Sequence, residues 1–319
     1  METKTITSLS KLKPLKSNNL VNGWIVIDKS KGVTSSGVVN QVKKIVEVKK
    51  VGHAGTLDPL ATGVLPLALG EATKTINFLF LNRKVYTFVM RWGEKRDTDD
   101  AMGKIERVTQ RRPTKNEILS ELPHFIGTIS QIPPDFSAIK VSGIRAYKLA
   151  REKKDYTLKA RPVEVRDFQL LKIINEDKAE FQVVCGKGTY VRSLARDLAE
   201  RLNTTGHVVE LRRNTLGFFD EKDAISLDKL KDLVQTTPVK ELIWPVRAPL
   251  DDIPALALTI EERDRLKNGQ VLDGSSIHQR NGLGGLEHGV VMLATFQDHL
   301  VALVRFEGEN IRPFRVLNI

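Results

Sequence analysis

Residues 52–70 contain one carboxylate, Asp58, in a stretch otherwise built, His53 apart, from small, apolar and hydroxyl residues. The nearest other charged side chains along the chain are Lys50 before it and Glu71 and Lys74 after it. Gly52, Gly55, Gly63, Pro59 and Pro66 bend and tighten the backbone around it. An acid in such a setting is costly to bury unless a cation pairs with it or chemistry requires it. Taken alone, Asp58-Pro59 is an ordinary turn start. The length of the surrounding string is what argues for carboxylate chemistry. A pairing cation is available in Gly188-Thr189-Tyr190-Val191-Arg192-Ser193-Leu194, although spacing alone reads Arg192 as a solvated helix arginine.

The string Gly52-His53-x-Gly55-x-Leu57-Asp58-Pro59-x-Ala61-x-Gly63-x-Leu65 resembles the catalytic motif of the tRNA pseudouridine synthases of the TruB type. The resemblance runs from about residue 22 to 247, and more weakly through the tail. It implies isomerisation of one uridine in the tRNA T-loop, the position usually called 55. That reaction breaks the bond between ribose and N1 of uracil, turns the base, and rejoins it through C5. The nucleotide must be extruded, kept dry and met by a nucleophile.

By this resemblance Asp58 is the nucleophile, attacking either C1′ of the ribose or C6 of the base. Arg192 is its ion-pair partner. Tyr86, after Lys84-Val85, stacks on the flipped base and serves proton transfer. His53 fills the gap left in the T-loop, a matter of shape rather than titration. Lys29, in Asp28-Lys29-Ser30-Lys31-Gly32, supports the pocket or contacts phosphate; many relatives have Pro where this chain has Ser30. Leu211 lies against the uracil, Tyr190 lines the pocket or packs, and Arg212 and Arg213 are placed to reach phosphates. The span 133–166, with Lys148 and Arg151, resembles the segment that grips the T-arm. No metal and no cofactor is expected.

The bulk properties agree with an RNA partner. The 319 residues carry a net charge of +11, with a pI near 9.6, which favours a polyanion. Between Lys140 and Arg166 nine basic residues face three acids, Glu152, Asp155 and Glu164. No apolar run has the length of a transmembrane helix. Six scattered histidines and one cysteine, Cys185, give no zinc spacing and no internal disulfide. These features lead us to expect a cytoplasmic protein, and the motifs a self-sufficient monomer.

The elements that must position these residues are legible in part. Trp24–Ile27 reads as a buried strand, and a helix capped by Ser35 or Ser36 follows. A loop carries Asp58, and a helix is expected near Ala72–Leu81. Tyr86–Trp92 reads as a strand, 96–103 as a loop, and 114–122 and 146–153 as helices. Phe168–Ile173 and Phe181–Val184 read as strands, and Tyr190–Leu202 as a strong helix with Arg192 and Arg196 off its apolar face. Beyond Trp244, Pro245 and Pro249 come a helix at 260–266 and three strands, Val290–Phe296, Leu300–Phe306 and Ile311–Leu317.

The mixture lacks regular βαβ alternation, so the fold class is α+β. The resemblance implies a mixed, largely antiparallel central sheet with flanking helices, followed by a small β-rich PUA-like domain. The expected units are a flexible basic arm (1–21), a catalytic domain (22–247) and an RNA-binding tail (250–319). Two other readings fit the charge: a protein that only binds or folds RNA, and the catalytic subunit of a guide-RNA-dependent particle. Asp58, Tyr86 and Arg192 favour the enzyme, because binding alone needs none of them. The compact tail favours the stand-alone bacterial type.

Overall fold

A computed structural model of the chain describes residues 21–79, 83–274, 277 and 287–319. The expected N-terminal arm therefore lies outside the described residues, apart from residue 21. The apolar run at Trp24 becomes strand β1 (Gly23–Lys29), in which every residue but Asp28 is buried. Helix α1 (Ser35–Ile45) turns Val38 and Val42 inward. Its cap is Thr34, whose hydroxyl accepts from Gly37 N at 3.0 Å. Neither serine caps it, because the Ser35 hydroxyl is turned onto Leu57 instead.

Strands β2 (Val51–His53) and β3 (Thr62–Leu69) flank the Asp58 loop. Strand β3 is hidden in the sequence because Gly63 and Pro66 argue against a central strand, and because its near-complete burial leaves no alternation to read. The helix expected at 72–81 is instead two 3₁₀ turns, Gly70–Lys74 and Ile76–Phe78, and residues 80–81 lie outside the described residues. Hydroxyls of Thr73 and Thr75 donate back to Gly70 O and Ala72 O at 2.7 and 2.8 Å, a local competitor of α-helix.

Strand β4 (Lys84–Trp92) is the expected one. The hairpin β5 (Glu94–Arg96) and β6 (Ile105–Val108) brackets the polar loop. Helix α2 (Lys115–Glu121) begins in a Thr114/Glu117 capping box. Strand β7 (Gly127–Gln131) leads into the basic span. This holds a tight hairpin, β8 (Lys140–Val141) and β9 (Ile144–Arg145), and helix α3 (Ala146–Arg151). Long strands β10 (Arg161–Asn175) and β11 (Lys178–Cys185) precede α4 (Val191–Arg201). Strand β12 (Gly206–Leu216), β13 (Phe219–Asp220) and α5 (Leu227–Thr236) follow, none of them read from the sequence. Charged Glu210, Arg212 and Arg213 and two register shifts disguise β12.

The first sheet runs β1-β3-β12-β4-β11-β10-β7, with β2 against β3 and β13 against β12. Every pair is antiparallel except the short β12–β3 contact. This is the mixed, largely antiparallel sheet the resemblance implied. A second sheet joins β14 (Ala255–Ala257), β15 (Leu272–Asp273), β16 (Val291–Phe296), β17 (His299–Glu307) and β18 (Asn310–Val316) in the order β14-β16-β17-β18-β15. Helix α6 (Ile260–Lys267) packs on it, giving a small PUA-like unit.

One face of the first sheet carries the main core, where Phe88, Phe181, Leu194 and Leu198 meet Val38 and Val42 of α1. The other face packs Trp24, Val26, Val64 and Ala68 against Leu293, Leu300, Leu303 and Leu317 of the second sheet. The connecting segment is tied down as well. Trp24 and Trp244 exchange backbone hydrogen bonds at 2.8 and 2.7 Å, and Trp24 Nε1 donates to Val246 O at 3.2 Å. The two sheets thus share buried apolar surface, which the drive to remove such surface from water keeps together.

Candidate active site

The Asp58 loop is anchored at both ends by buried polar groups. Leu57 N donates to the Ser35 hydroxyl at 2.8 Å, and that hydroxyl donates to Leu57 O at 3.0 Å. Ala61 N donates to Asp58 O at 3.0 Å, and Gly32 N to Pro59 O at 2.7 Å. Lys29 is fully buried, and its ammonium donates to Ser30 O, Val33 O and Pro59 O at 3.0, 2.7 and 3.4 Å. Burial pushes it down to about 8, against the opposing pull of Asp58. Lys29 therefore lies beneath the loop, without the exposure a phosphate contact needs.

Arg213 supports the same loop from β12. It is 1% exposed; Nε donates to Val64 O at 2.8 Å and Nη2 to Gly55 O at 3.1 Å. It cannot reach RNA phosphates, contrary to the sequence expectation, because its fork is spent on buried carbonyls. Arg212 is likewise engaged, forming two 3.0 Å bonds with Asp28 and pairing with Glu221. Gly63 sits beside this arginine at φ +99°, where an added Cβ would lie 2.3 Å from Arg213 O. Only glycine fits there.

Helix α4 brings the cation. Arg192 is 3% exposed, not solvated. Its Nε lies 2.9 Å from Asp58 Oδ2 and 3.8 Å from Asp100 Oδ2. The approach to Asp58 is an ion pair rather than an aligned hydrogen bond. Nη1 donates to Thr98 O at 2.8 Å and Nη2 to Phe136 O at 3.1 Å. One guanidinium thus ties together the Asp58 loop, the turn after β5 and the start of the basic span. The Asp58 side chain remains 36% exposed, so a substrate atom can reach it.

One turn on, Arg196 pairs with Asp99 at 3.0 Å and donates to Ile132 O at 2.8 Å. Burial pushes Asp99 up to about 6, although Arg196 and Arg192 oppose the rise.

The walls come from the sheet. Tyr86 is buried and stands across from Arg213 on one side and Val183 on the other. Burial raises its phenol above the usual range; Arg213 opposes the rise and the Asp58 charge adds to it. Leu211 is buried opposite Phe88 on the same face as Arg213. Tyr190 is half-buried, its backbone exchanging bonds with the Gln131 amide at 2.9 and 3.2 Å. Its phenol is raised by burial, and the Asp58 charge adds to the rise.

His53 sits half-buried on β2, where burial and the Arg213 charge lower its pKa and favour the neutral ring. Its Nδ1 is buried with no hydrogen-bond partner among the described residues. Lys148 and Arg151 do not converge on Asp58. They are exposed on α3, with Arg151 5.6 Å above the Tyr147 ring. Their segment is nonetheless fastened to the site through Phe136 O, and through Ser193, which donates to Ile132 O at 2.8 Å. No group of three His, Cys, Asp or Glu among the described residues is arranged to hold a metal.

Three participants escaped the sequence reading: Ser35 as a brace, Arg213 as a clamp and Asp100 as a second acid at Arg192. The Asp99-Asp100 pair in a polar loop was the one available signal for the last.

Comparison with known proteins agrees with this geometry. Residues 43–191 match the model of the TruB family pseudouridylate synthase N-terminal domain, and 192–252 that of the tRNA pseudouridylate synthase B C-terminal domain. A tRNA pseudouridine synthase B from Rhodospirillum rubrum is 46% identical, over 94% of this chain and 97% of its own. Another from Gluconacetobacter diazotrophicus is 49% identical, over 93% and 97%. Among solved structures, the archaeal box H/ACA sRNP Nop10–Cbf5 complex includes a chain of the same fold. It has a TM-score of 0.69 at 24% identity, covering 92% of this chain and 85% of that one. With the Asp58–Arg192 pair in place and relatives matching along nearly its full length, this chain belongs to the TruB family of pseudouridylate synthases.

Proposed function

We propose that this chain is a stand-alone isomerase that converts uridine to pseudouridine at position 55 of the tRNA T-loop. The observation that carries the reading is the Asp58–Arg192 ion pair. It joins a half-open carboxylate to a buried guanidinium, with Tyr86 and Leu211 as neighbouring walls. A protein that only binds RNA has no use for a buried cation held against a half-open acid inside the cleft.

In this mechanism the uridine leaves its stack and enters between Tyr86 and Leu211. Stacking on Tyr86 contributes roughly 1–3 kcal/mol. The Asp58 carboxylate attacks C1′ or C6, with Arg192 fixing its direction and supplying the counter-charge. The bond from C1′ to N1 breaks, the base turns, a bond from C1′ to C5 forms, and the bond from Asp58 to C1′ or C6 breaks to return the carboxylate. A proton leaves C5 and one is returned to the freed ring nitrogen, so atoms balance without a redox partner. Tyr86 is the proton-transfer group nearest the base, and its raised pKa keeps it a neutral phenol.

Exposed Lys148 and Arg151 hold the T-arm, and His53 fills the space the base leaves. Residues 22–247 act as the catalytic domain and 250–319 as an RNA-binding PUA-like domain, in a cytoplasmic monomer.

The experiment is tritium release from a T-arm stem-loop labelled at C5 of uridine, using the purified chain without cofactor or guide RNA. Release that disappears in Asp58→Asn, with RNA binding kept, is the expected result. Salt-sensitive binding without release would favour an RNA-binding role or guide dependence, and a guide RNA added back would separate those two.

A further inference from the structure

Lys84 opens β4 two residues before Tyr86, so the two side chains stand on the same face of the sheet, about 7 Å apart along the strand. Its cross-strand neighbours are Cys185 on β11 and Leu216 on β12. The side chain is half-buried, and its ammonium forms no ion pair or hydrogen bond among the described residues. Outside them the only acidic residue is Glu2. Burial lowers the pKa of Lys84, and the charges of Arg213 and Lys187 lower it further. Cys185 offers no counter-charge, because burial lifts its thiol to about 11 and leaves it neutral.

Lys187 follows Cys185, the cross-strand neighbour of Lys84, by two residues, so both lysines belong to the same end of the β4–β11 pair, where the Glu164 carboxylate beside Gly186 is paired with Arg166. Arg213 is occupied by backbone carbonyls, whereas Lys84 and Lys187 are not. Lys187 is exposed on the Gly186-Lys187-Gly188 turn, and the position of an added Cβ at Gly188 meets nothing within 4 Å. A ligand can approach this backbone closely. Mutual repulsion of this kind is relieved by an anion. The anion that accompanies a base stacked on Tyr86 is a phosphodiester of the same strand.

We propose that Lys84, with Lys187 beside it, binds one backbone phosphate of the substrate RNA adjoining the uridine held at Tyr86. This rests on the reading of the chain as an RNA-modifying enzyme, but its test reads binding rather than turnover.

Single methylphosphonates are placed in turn at the phosphates flanking the target uridine of the T-arm stem-loop, and equilibrium affinity is measured. We expect one neutral linkage to weaken wild-type binding about tenfold, the scale of a lost hydrogen bond to a charged group. Lys84→Gln should bind unmodified RNA about tenfold more weakly, by the same loss. It should also be indifferent to that one methylphosphonate, with a salt slope shallower by about 0.7. Lys84→Arg should keep the wild-type pattern. Lys187→Gln, at an exposed turn where folding is not at risk, should blunt the same position. If both glutamine variants retain every methylphosphonate effect and the wild-type slope, the assignment is wrong. Binding that follows these expectations without tritium release would sink the proposed activity and leave this site standing.

Discussion

Arg192 Nε lies 2.9 Å from Asp58 Oδ2, while the two other nitrogens of the same guanidinium are bound to the carbonyls of Thr98 and Phe136. The cation is thus fixed by backbone on two sides before it meets the carboxylate. Holding a charged group in place ahead of the reaction is what allows electrostatics to act on a transition state without reorganisation.

Lysine at position 192 keeps the charge but cannot reproduce a planar fork with three separate tasks. Arg192→Lys should lower kcat by on the order of 10²-fold or more, the scale of a lost preorganised donor. Its affinity for tRNA should stay within a few-fold of wild type. Single-turnover release and filter binding measure the two quantities, and a parallel loss in both would reassign Arg192 to RNA binding.

Tyr86→Phe keeps the ring and removes the hydroxyl. Binding should be unchanged, and the isomerisation rate should fall by about 10²-fold, the lower range for proton-transfer groups. Tyr86→Leu should in addition lose about 1–3 kcal/mol of stacking. A Phe variant with full activity would remove the hydroxyl from the mechanism.

Arg213→Met strands the carbonyls of Val64 and Gly55 inside the protein. Each unsatisfied group costs about 1–3 kcal/mol. The unfolding free energy should therefore drop by about 2–6 kcal/mol, read by denaturant titration. Arg151→Ala, at an exposed position, should move it by less than about 0.5 kcal/mol. Equal effects would contradict the clamp.

The Asp99 carboxyl titrates near 6 in the folded protein against an ordinary value of 3.8. Between these values the folded state holds the extra proton, so this group's contribution to stability is complete below pH 3.8. It declines as pH rises and is gone above about pH 6. The stability of wild type minus that of Asp99→Asn should fall across this window, by roughly 3 kcal/mol at most, and be flat above it. A difference that rises with pH would mean that the pair with Arg196 outweighs burial.

In the basic span, Lys154 is paired with Glu152 at 2.7 Å, whereas Lys148 and Arg151 have no carboxylate partner among the described residues. Replacing Lys148 and Arg151 by Gln should reduce the slope of log affinity against log salt by about 0.7–0.9 for each phosphate that is no longer neutralised. Lys154→Gln should change it little. An unaltered slope in the double variant would place the T-arm elsewhere.

Much of the site was legible in the chain itself. Asp58 stands alone among small and apolar residues, and that pattern with its glycines is local. Strand β4 with Tyr86 and helix α4 with Arg192 announce themselves by period two and period 3.6. The α+β class is readable without coordinates from residue types at short spacing, and the chemistry through the family resemblance that the ordered motifs carry.

The direction of the arginines is a matter of the folded chain. By residue type and spacing alone Arg192 and Arg213 read as solvent-facing, since a charged side chain is normally exposed, and only the resemblance set Arg192 against Asp58. Each is buried because partners far along the chain supply what water would: Asp58, Thr98 and Phe136 for one, Val64 and Gly55 for the other. The same holds for β3 and β12, whose short parallel pairing sets Arg213 beside Gly63. Pairings between residues roughly 150 positions apart leave no local pattern, and burial of a charge is a property of the folded surroundings alone.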